Sequence, residues 1–341
     1  MRRQRSSGHR GRLVAALLLS FGTVASGQSD APVVTGTGAT AWIPPLTSWG
    51  DPDLQGNFTN KDETASFERP VELGTRAILT EEEFAERDKR AQEQHARRQA
   101  PIPEAGSTGI NPGGEWLEFR GASRRTSLIV DPPDGRLPPQ TEAAKARAAA
   151  REEARSGRGP ADSYEDRSLY DRCISRGLPG SMMPVIYGNS YRIVQAPGVV
   201  AISYEMIHET RLIPVDPLPR VAAATQSYMG EPRGRWEGNT LVVETINFNP
   251  KMSFRGSNPD AMRLVERFTP TGPSSIEWRV TVEDPTTWTS PFTFAMDLTR
   301  DDNEAMIEYA CHEGNMAMAN ILSGHRAEER AAAAAARAAG R

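Results

Sequence analysis

The feature that most constrains the fold is the pair of cysteines, Cys173 and Cys311, which are the only two in the chain of 341 residues. If they pair, the bridge encloses more than a third of the chain and holds both ends of that segment together. Cysteines of exported proteins are expected to pair when the geometry allows it. Two buried free thiols are the alternative, because cysteine is often buried without a partner.

The first 27 residues predict export. Five arginines precede an apolar run at 13–19, and small residues follow through 24–27. This is the order of a secretory signal peptide, and the apolar run is shorter than the roughly 20 residues that cross a bilayer. We predict a signal at 1–27 and a periplasmic or extracellular protein. A basic disordered tail is the alternative, and a twin-arginine route stays open.

The charge of the remaining chain argues against two classes of partner. Removing the signal removes five arginines and no acidic residue, so the formal net charge changes from −4 to −9. An acidic protein is poorly suited to nucleic acid or to an anionic membrane surface. No later stretch is apolar enough to predict a membrane span. A small molecule is therefore the expected partner, and the oligomeric state is left open.

Apolar residues are spread unevenly, which predicts the domain organisation. A flexible lead at 28–45 precedes an N-terminal extension at 46–160 that contains solvated helices and loops. One helix is expected at 80–100, where Thr80 and Glu83 form a capping box, and another at 143–155. An antiparallel β domain at 161–325 and an alanine- and arginine-rich tail at 326–341 complete the chain.

The β domain is predicted from alternating polarity with turn residues every 8 to 12 positions. A helix from Ser163 to Gly177, with Cys173 in its last turn, should precede the strands. We predict a mainly β fold, an antiparallel barrel or strongly curved sheet with a few peripheral α-helices and a long N-terminal extension. The expected strands of this domain are 193–195, 199–206, 211–215, 240–245, 264–269, 276–283, 292–298 and 307–311, with a shorter one upstream at 126–130.

Six segments carry recognisable motifs: 52–60, 125–135, 172–180, 234–238, 284–289 and 309–315. Together they resemble a family of secreted bacterial proteins of unknown function. The resemblance covers most of residues 50–325 and implies export, but no activity. A weaker likeness is to lipocalin-type barrels, since Gly56-Asn57-Phe58 approaches their Gly-x-Trp start, and it implies a lipocalin-like, ligand-holding barrel.

Histidines beside carboxylates are the candidate catalytic groups. His312 and Glu313 follow Cys311 directly in a turn that Gly314 allows, and histidine is suited to proton transfer near neutral pH. His208 could approach Glu205 if the strand bends there. The alternatives are structural: a turn that only ends the sheet, and a strand-end histidine that bonds a backbone carbonyl.

Aromatic and guanidinium side chains are the candidate ligand contacts. They could line a pocket for a partly apolar molecule, although large aromatics near turns more often cover a core. Arg176 has a second interpretation, because it could cap helix carbonyls. The predicted ligand-binding residues are Tyr204, Arg235, Trp236, Trp288 and Arg176.

Cofactor motifs are missing from the sequence. It has no Gly-x-Ser-x-Gly elbow, phosphate loop or dinucleotide fingerprint. No cofactor is predicted; zinc at His208, His312 and an acid such as Glu313 is the alternative. Binding of a small, partly apolar ligand is the preferred function. The alternatives are a cofactor-independent isomerase, lyase or hydrolase that uses the same histidines, and an interaction module of the cell envelope.

Overall fold

The structure is a computed structural model that describes residues 42–99, 118, 121–216, 218–220, 225–303 and 306–340. The predicted signal and most of the predicted lead lie outside the described residues. The mainly β prediction is confirmed.

Nine antiparallel strands form a nearly closed barrel in the order β5-β4-β3-β1-β10-β9-β8-β7-β6, and β2 pairs with β10 outside this path. Buried and less buried side chains alternate along the strands, as in β8 and β9, where every second side chain is buried. Such alternation places one face of each strand towards the core. The strands are β1 (Gly56–Thr59), β2 (Ile129–Asp131), β3 (Ser190–Ala196), β4 (Val199–Tyr204), β5 (Thr210–Pro214), β6 (Glu231–Glu237), β7 (Thr240–Ile246), β8 (Arg263–Gly272), β9 (Ser275–Glu283) and β10 (Phe292–Arg300).

Side chains fill the barrel interior. Trp278 packs against Phe268 and Phe294 with ring centroids 6.3 and 5.6 Å apart, and all three are completely buried. Among them lies an ion pair in which Arg211 of β5 donates two hydrogen bonds, of 2.5 and 3.1 Å, to Glu266 of β8. The indole Nε1 of Trp278 donates a third bond to Glu266. Room for a ligand must therefore be sought at the rim.

The barrel closes where β5 approaches β6, at the two ends of the strand order. A Cβ atom on Gly234 of β6 would lie 2.9 Å from Ile213 Cγ2 and 3.4 Å from the Pro214 carbonyl oxygen. A glycine is thus required for this close approach of the two strands.

Three helices lie outside the barrel: α1 (Glu81–Gln99), α2 (Glu142–Ala154) and α3 (Ala317–Ala339). Both hydrogen bonds of the predicted capping box at Thr80 and Glu83 are present. The Thr141 side chain caps α2. The alanine- and arginine-rich tail continues α3 without a break. Within the described residues, no helix is long and apolar enough to cross a membrane.

Two predicted elements are wrong. The segment from Ser163 is a single 3-10 turn at Tyr164–Asp166 followed by further turns, because Cys173 adopts a φ of +54°, which a helix does not allow. The segment 307–311 is not a strand: its Ile307 is 66% exposed, and the Tyr309 carbonyl bonds a histidine ring instead of a neighbouring strand.

Candidate functional site

The predicted disulfide forms. Cys173 and Cys311 are bonded across 138 residues, with their Cα atoms 5.8 Å apart, and both are buried. The Asn315 side-chain amide donates a 2.7 Å bond to the Cys311 carbonyl and so secures the turn that follows. We call this place the disulfide junction, formed by segments 164–176 and 306–318.

His312 belongs to the disulfide junction and His208 packs against it, and each ring contacts a backbone carbonyl. His312 Nε2 is 3.1 Å from the Cys173 oxygen, and His208 Nδ1 is 3.0 Å from the Tyr309 oxygen. A carbonyl oxygen only accepts, so these nitrogens carry the protons. His208 Nε2 also lies 3.5 Å from the exposed Glu308 carboxylate.

The candidate acids lie apart from this pair. Glu205 accepts a 3.2 Å bond from the Ser190 amide at the barrel rim, and Glu313 is exposed. Among the described residues, His208 and His312 do not form a group with a carboxylate in which all the ligand atoms lie within 4.8 Å of one another. The acid–base and zinc hypotheses for these residues stay predictions, and the geometry does not favour them.

Three tyrosines meet beside the disulfide junction. The rings of Tyr187 and Tyr309 are stacked, with centroids 6.1 Å apart and an interplanar angle of 19°. The Tyr170 side chain lies beside both. Burial raises the pKa of Tyr170, and the neighbouring Tyr187 hydroxyl raises it further. All three tyrosines are half-buried, so their phenol groups face one another at the surface.

Arg176 lies among these phenols, and it has no ion-pair partner among the residues that the structure describes. Its guanidinium carbon is 5.6 Å from the centre of the Tyr170 ring. Its Nη1 is buried and makes no hydrogen bond with a described residue. Burial lowers the pKa of Arg176, while the nearby Tyr191 and Tyr170 hydroxyls act in the opposite direction. A cation so placed lacks the partner that buried charges normally have.

The half-buried carboxyl of Glu209 lies beside the Arg176 backbone but is engaged elsewhere. Glu209 accepts a 2.7 Å bond from Ser175 Oγ, and the backbone amide of Arg176 is near enough to favour its charged form. Burial raises the pKa of Glu209 above its ordinary value. Its oxygens are thus used to hold the 175–176 backbone rather than to neutralise the guanidinium.

A cleft of about 310 Å³ opens at the disulfide itself. Arg172 lies on its wall and packs over the Tyr164 ring at 5.1 Å. The cleft also includes His312, so polar and apolar groups share one wall. It is lined by Tyr164, Asp171, Arg172, Cys173, Ile174, Cys311, His312, Asn315 and Met318.

The other predicted ligand contacts lie in different surroundings. Tyr204 is completely buried, and Trp288 packs against Phe292 at 5.0 Å beneath the surface. Arg235 is exposed and pairs with Glu237 on the same strand, and Trp236 packs partly against the core. Their predicted ligand roles remain untested.

Tyr170, Tyr187, Tyr309 and Glu209 are site residues that sequence reasoning missed. Two of them could have been found from the cysteines alone. Tyr170 precedes Cys173 by three residues and Tyr309 precedes Cys311 by two, so pairing of the cysteines brings both rings to one place. Tyr187 carries no such signal.

Comparisons of the chain with protein-family models, with curated proteins and with solved structures found no match. The resemblance to secreted proteins of unknown function therefore stays a prediction. The site must be interpreted from its own geometry.

Proposed function

We propose that this is an exported β-barrel protein that binds a small, partly apolar anion at the barrel rim, on Arg176, Tyr170, Tyr187 and Tyr309. The observation that carries the proposal is the Arg176 guanidinium, which is partly buried and faces phenols rather than a carboxylate.

Physical chemistry favours an anion at this position. An unpaired buried charge is costly, and an anion would remove much of that cost when it binds. A guanidinium matches carboxylate and phosphate oxygens with paired donors, and phenol hydroxyls can donate further bonds. The stacked faces of Tyr187 and Tyr309 suit an apolar or aromatic portion of the same molecule.

Binding is favoured over catalysis because the site has a charge to recognise but no assembled proton-transfer pair. One nitrogen of each candidate histidine is bonded to a backbone carbonyl, and the carboxylate that lies 3.5 Å from His208 Nε2, that of Glu308, is exposed to solvent. Because side chains fill its interior, the barrel is expected to be a rigid support for a site at its rim.

The first test uses benzoate and its neutral isostere benzamide with the purified protein, measured by calorimetry. We expect benzoate to bind at least tenfold more tightly, and Arg176→Gln to lose that preference. Arg235→Gln is the matched control, since Arg235 is an exposed arginine with its own carboxylate partner.

Equal binding of the two probes, or unchanged benzoate binding in Arg176→Gln, would contradict the proposal. If benzoate is the wrong shape, phosphate and sulfate replace it in a thermal-shift series; stabilisation by none of the three anions contradicts anion binding outright. Mass spectrometry of molecules retained by the purified protein identifies the natural ligand.

Export is the second part of the proposal. The arginine-rich start, the apolar run and the small residues that follow support it, together with the disulfide. N-terminal sequencing of the exported protein should begin close to Gln28. Intact material that keeps residues 1–27 would contradict a cleaved signal.

A further inference from the structure

A separate group of ionisable side chains joins α3 to the loop before the first disulfide segment. His325 Nε2 lies 3.1 Å from Asp162 Oδ1 and 3.7 Å from Glu329 Oε1, and all three ligand atoms lie within 4.8 Å of one another. His325 and Glu329 are one helical turn apart and share a face of α3. We propose that these three side chains form a binding site for a divalent transition metal ion, with zinc as the preferred metal.

The distances suit tetrahedral coordination. Zinc bonds nitrogen and oxygen at about 2.0–2.2 Å, which places neighbouring ligand atoms about 3.3–3.6 Å apart. The two separations from His325 fall on either side of that range. One imidazole and two carboxylates are ligands that zinc accepts, and they leave a fourth position for water.

The outer contacts orient two of the three ligands. Without a metal, His325 Nε2 donates a 3.1 Å bond to Asp162 Oδ1; a metal ion would replace that proton, and Nδ1, which faces Glu328 Oε2 at 3.7 Å, would then carry the ring proton. The Gly159 amide donates a 2.8 Å bond to Asp162 Oδ2, so that Oδ1 is directed at the histidine.

Gly159 also allows the loop to approach the site. A Cβ atom at this position would lie 2.7 Å from His325 Nε2 and 2.8 Å from Asp162 Oδ1. Any larger residue would occupy the space between the two ligands.

Arg326 is the competing cation. Its Nη2 lies 2.8 Å from Glu329 Oε1 and 3.4 Å from Asp162 Oδ1. Its Nη1 donates to the Asp162 backbone carbonyl at 3.1 Å, so the guanidinium has an anchor that does not involve the carboxylates. A metal ion would displace Nη2 from the carboxylates, and the affinity should rise when this arginine loses its charge.

The test is calorimetric titration of zinc chloride into chelator-treated protein near pH 7, with cobalt absorption as a second readout. We expect one site. His325→Ala should lower the affinity at least a hundredfold, and Glu328→Gln by about two- to fivefold, because the Glu328 side chain is 82% exposed. Arg326→Gln should bind severalfold more tightly, while His95→Ala on α1 serves as the histidine control and should match the wild type.

Zinc should also raise the melting temperature of the wild type but not that of His325→Ala, which separates metal binding from a folding defect. The proposal is overturned if the wild type binds no zinc, or if His325→Ala binds it equally well. Weaker binding by Arg326→Gln would overturn the competition assigned to that arginine.

Discussion

At the scale of single residues, the pair Arg211 and Glu266 connects two strands that are not neighbours in the sheet. Their side chains are only 1% and 0% exposed. Buried pairs of this kind contribute little net stability, but losing one partner leaves an uncompensated charge. The pair therefore makes the interior intolerant of single substitutions.

Glu266→Gln should lower the free energy of unfolding by about 3–5 kcal/mol, because Arg211 would remain charged in the core. Urea denaturation measures the loss. The double variant Arg211→Met with Glu266→Leu is the control and should recover most of it. A single variant as stable as the wild type would show that the ion pair does not exist in solution.

Glu209 should make the free energy of unfolding decrease as the pH rises, which is the opposite of the effect of a carboxyl group with a lowered pKa. Burial raises its pKa in the folded state, so between the ordinary value of 4.5 and that raised value the folded form holds a proton that the unfolded chain has released. Stability from this group is therefore present below pH 4.5 and lost as pH rises through the folded-state pKa.

Glu209→Gln should remove this pH-dependent loss of stability. The free energy of unfolding of the variant, compared with that of the wild type, should therefore be higher at pH 7 than at pH 4. Urea denaturation at the two pH values measures the difference. Glu83→Gln is a control of opposite sign, because Arg76 lowers the pKa of Glu83 to about 2. An identical pH dependence for Glu209→Gln and the wild type would contradict the expected role.

At the residue scale, the disulfide could be predicted because two cysteines have only one way to pair within the chain. The disulfide was expected from two cysteines and a predicted export signal, and it brings Tyr170 and Tyr309 together. The ion pair of Arg211 with Glu266 could not be predicted, because it depends on how far the sheet curls before distant strands face each other.

At the scale of elements, the barrel depends on the seam between β5 and β6. Gly234→Val should separate the two strands, since its Cβ would lie only 2.9 Å from Ile213 Cγ2. We expect a loss of about 1–3 kcal/mol in the free energy of unfolding, as for other overpacked positions.

Thermal denaturation followed by circular dichroism measures this effect. Gly324→Ala on α3 is the control, because a Cβ there meets nothing within 4 Å and alanine favours a helix. It should stabilise slightly. A Gly234→Val variant as stable as the wild type would contradict the close approach of the strands.

Strands were predictable where polarity alternates, as in β8 and β9, since a half-buried surface imposes that pattern. Capped helices such as α1 were predictable because the residues that cap them are also recognisable in the local sequence. The turns after Ser163 were not, because the left-handed backbone of Cys173 reflects its tertiary position and not its local sequence.

At the scale of the whole molecule, the disulfide should supply much of the stability. It closes a loop of 138 residues, and the chain-entropy estimate for so long a loop is on the order of 5 kcal/mol. The paired variant Cys173→Ser with Cys311→Ser should lose about that amount in urea denaturation. It should also bind benzoate more weakly, because Tyr309 is no longer held near Arg176.

Thiol titration of the unfolded, unreduced protein is the accompanying check. We expect no free thiol in the wild type. A disulfide-free variant with unchanged stability would show that non-covalent packing alone fixes the junction.

The same bridge closes a covalent ring that leaves out two strands, β1 and β2, of which β1 is inserted into the strand order of the barrel. Residues 173–311 carry β3 to β10, whereas β1 comes from outside the ring and pairs with both β3 and β10. Phe58 fixes β1 in the core. Without β1, the sheet of the ring would lack the four-residue strand between β3 and β10. A separate peptide spanning 50–60 should be able to bind at that position, as in strand complementation.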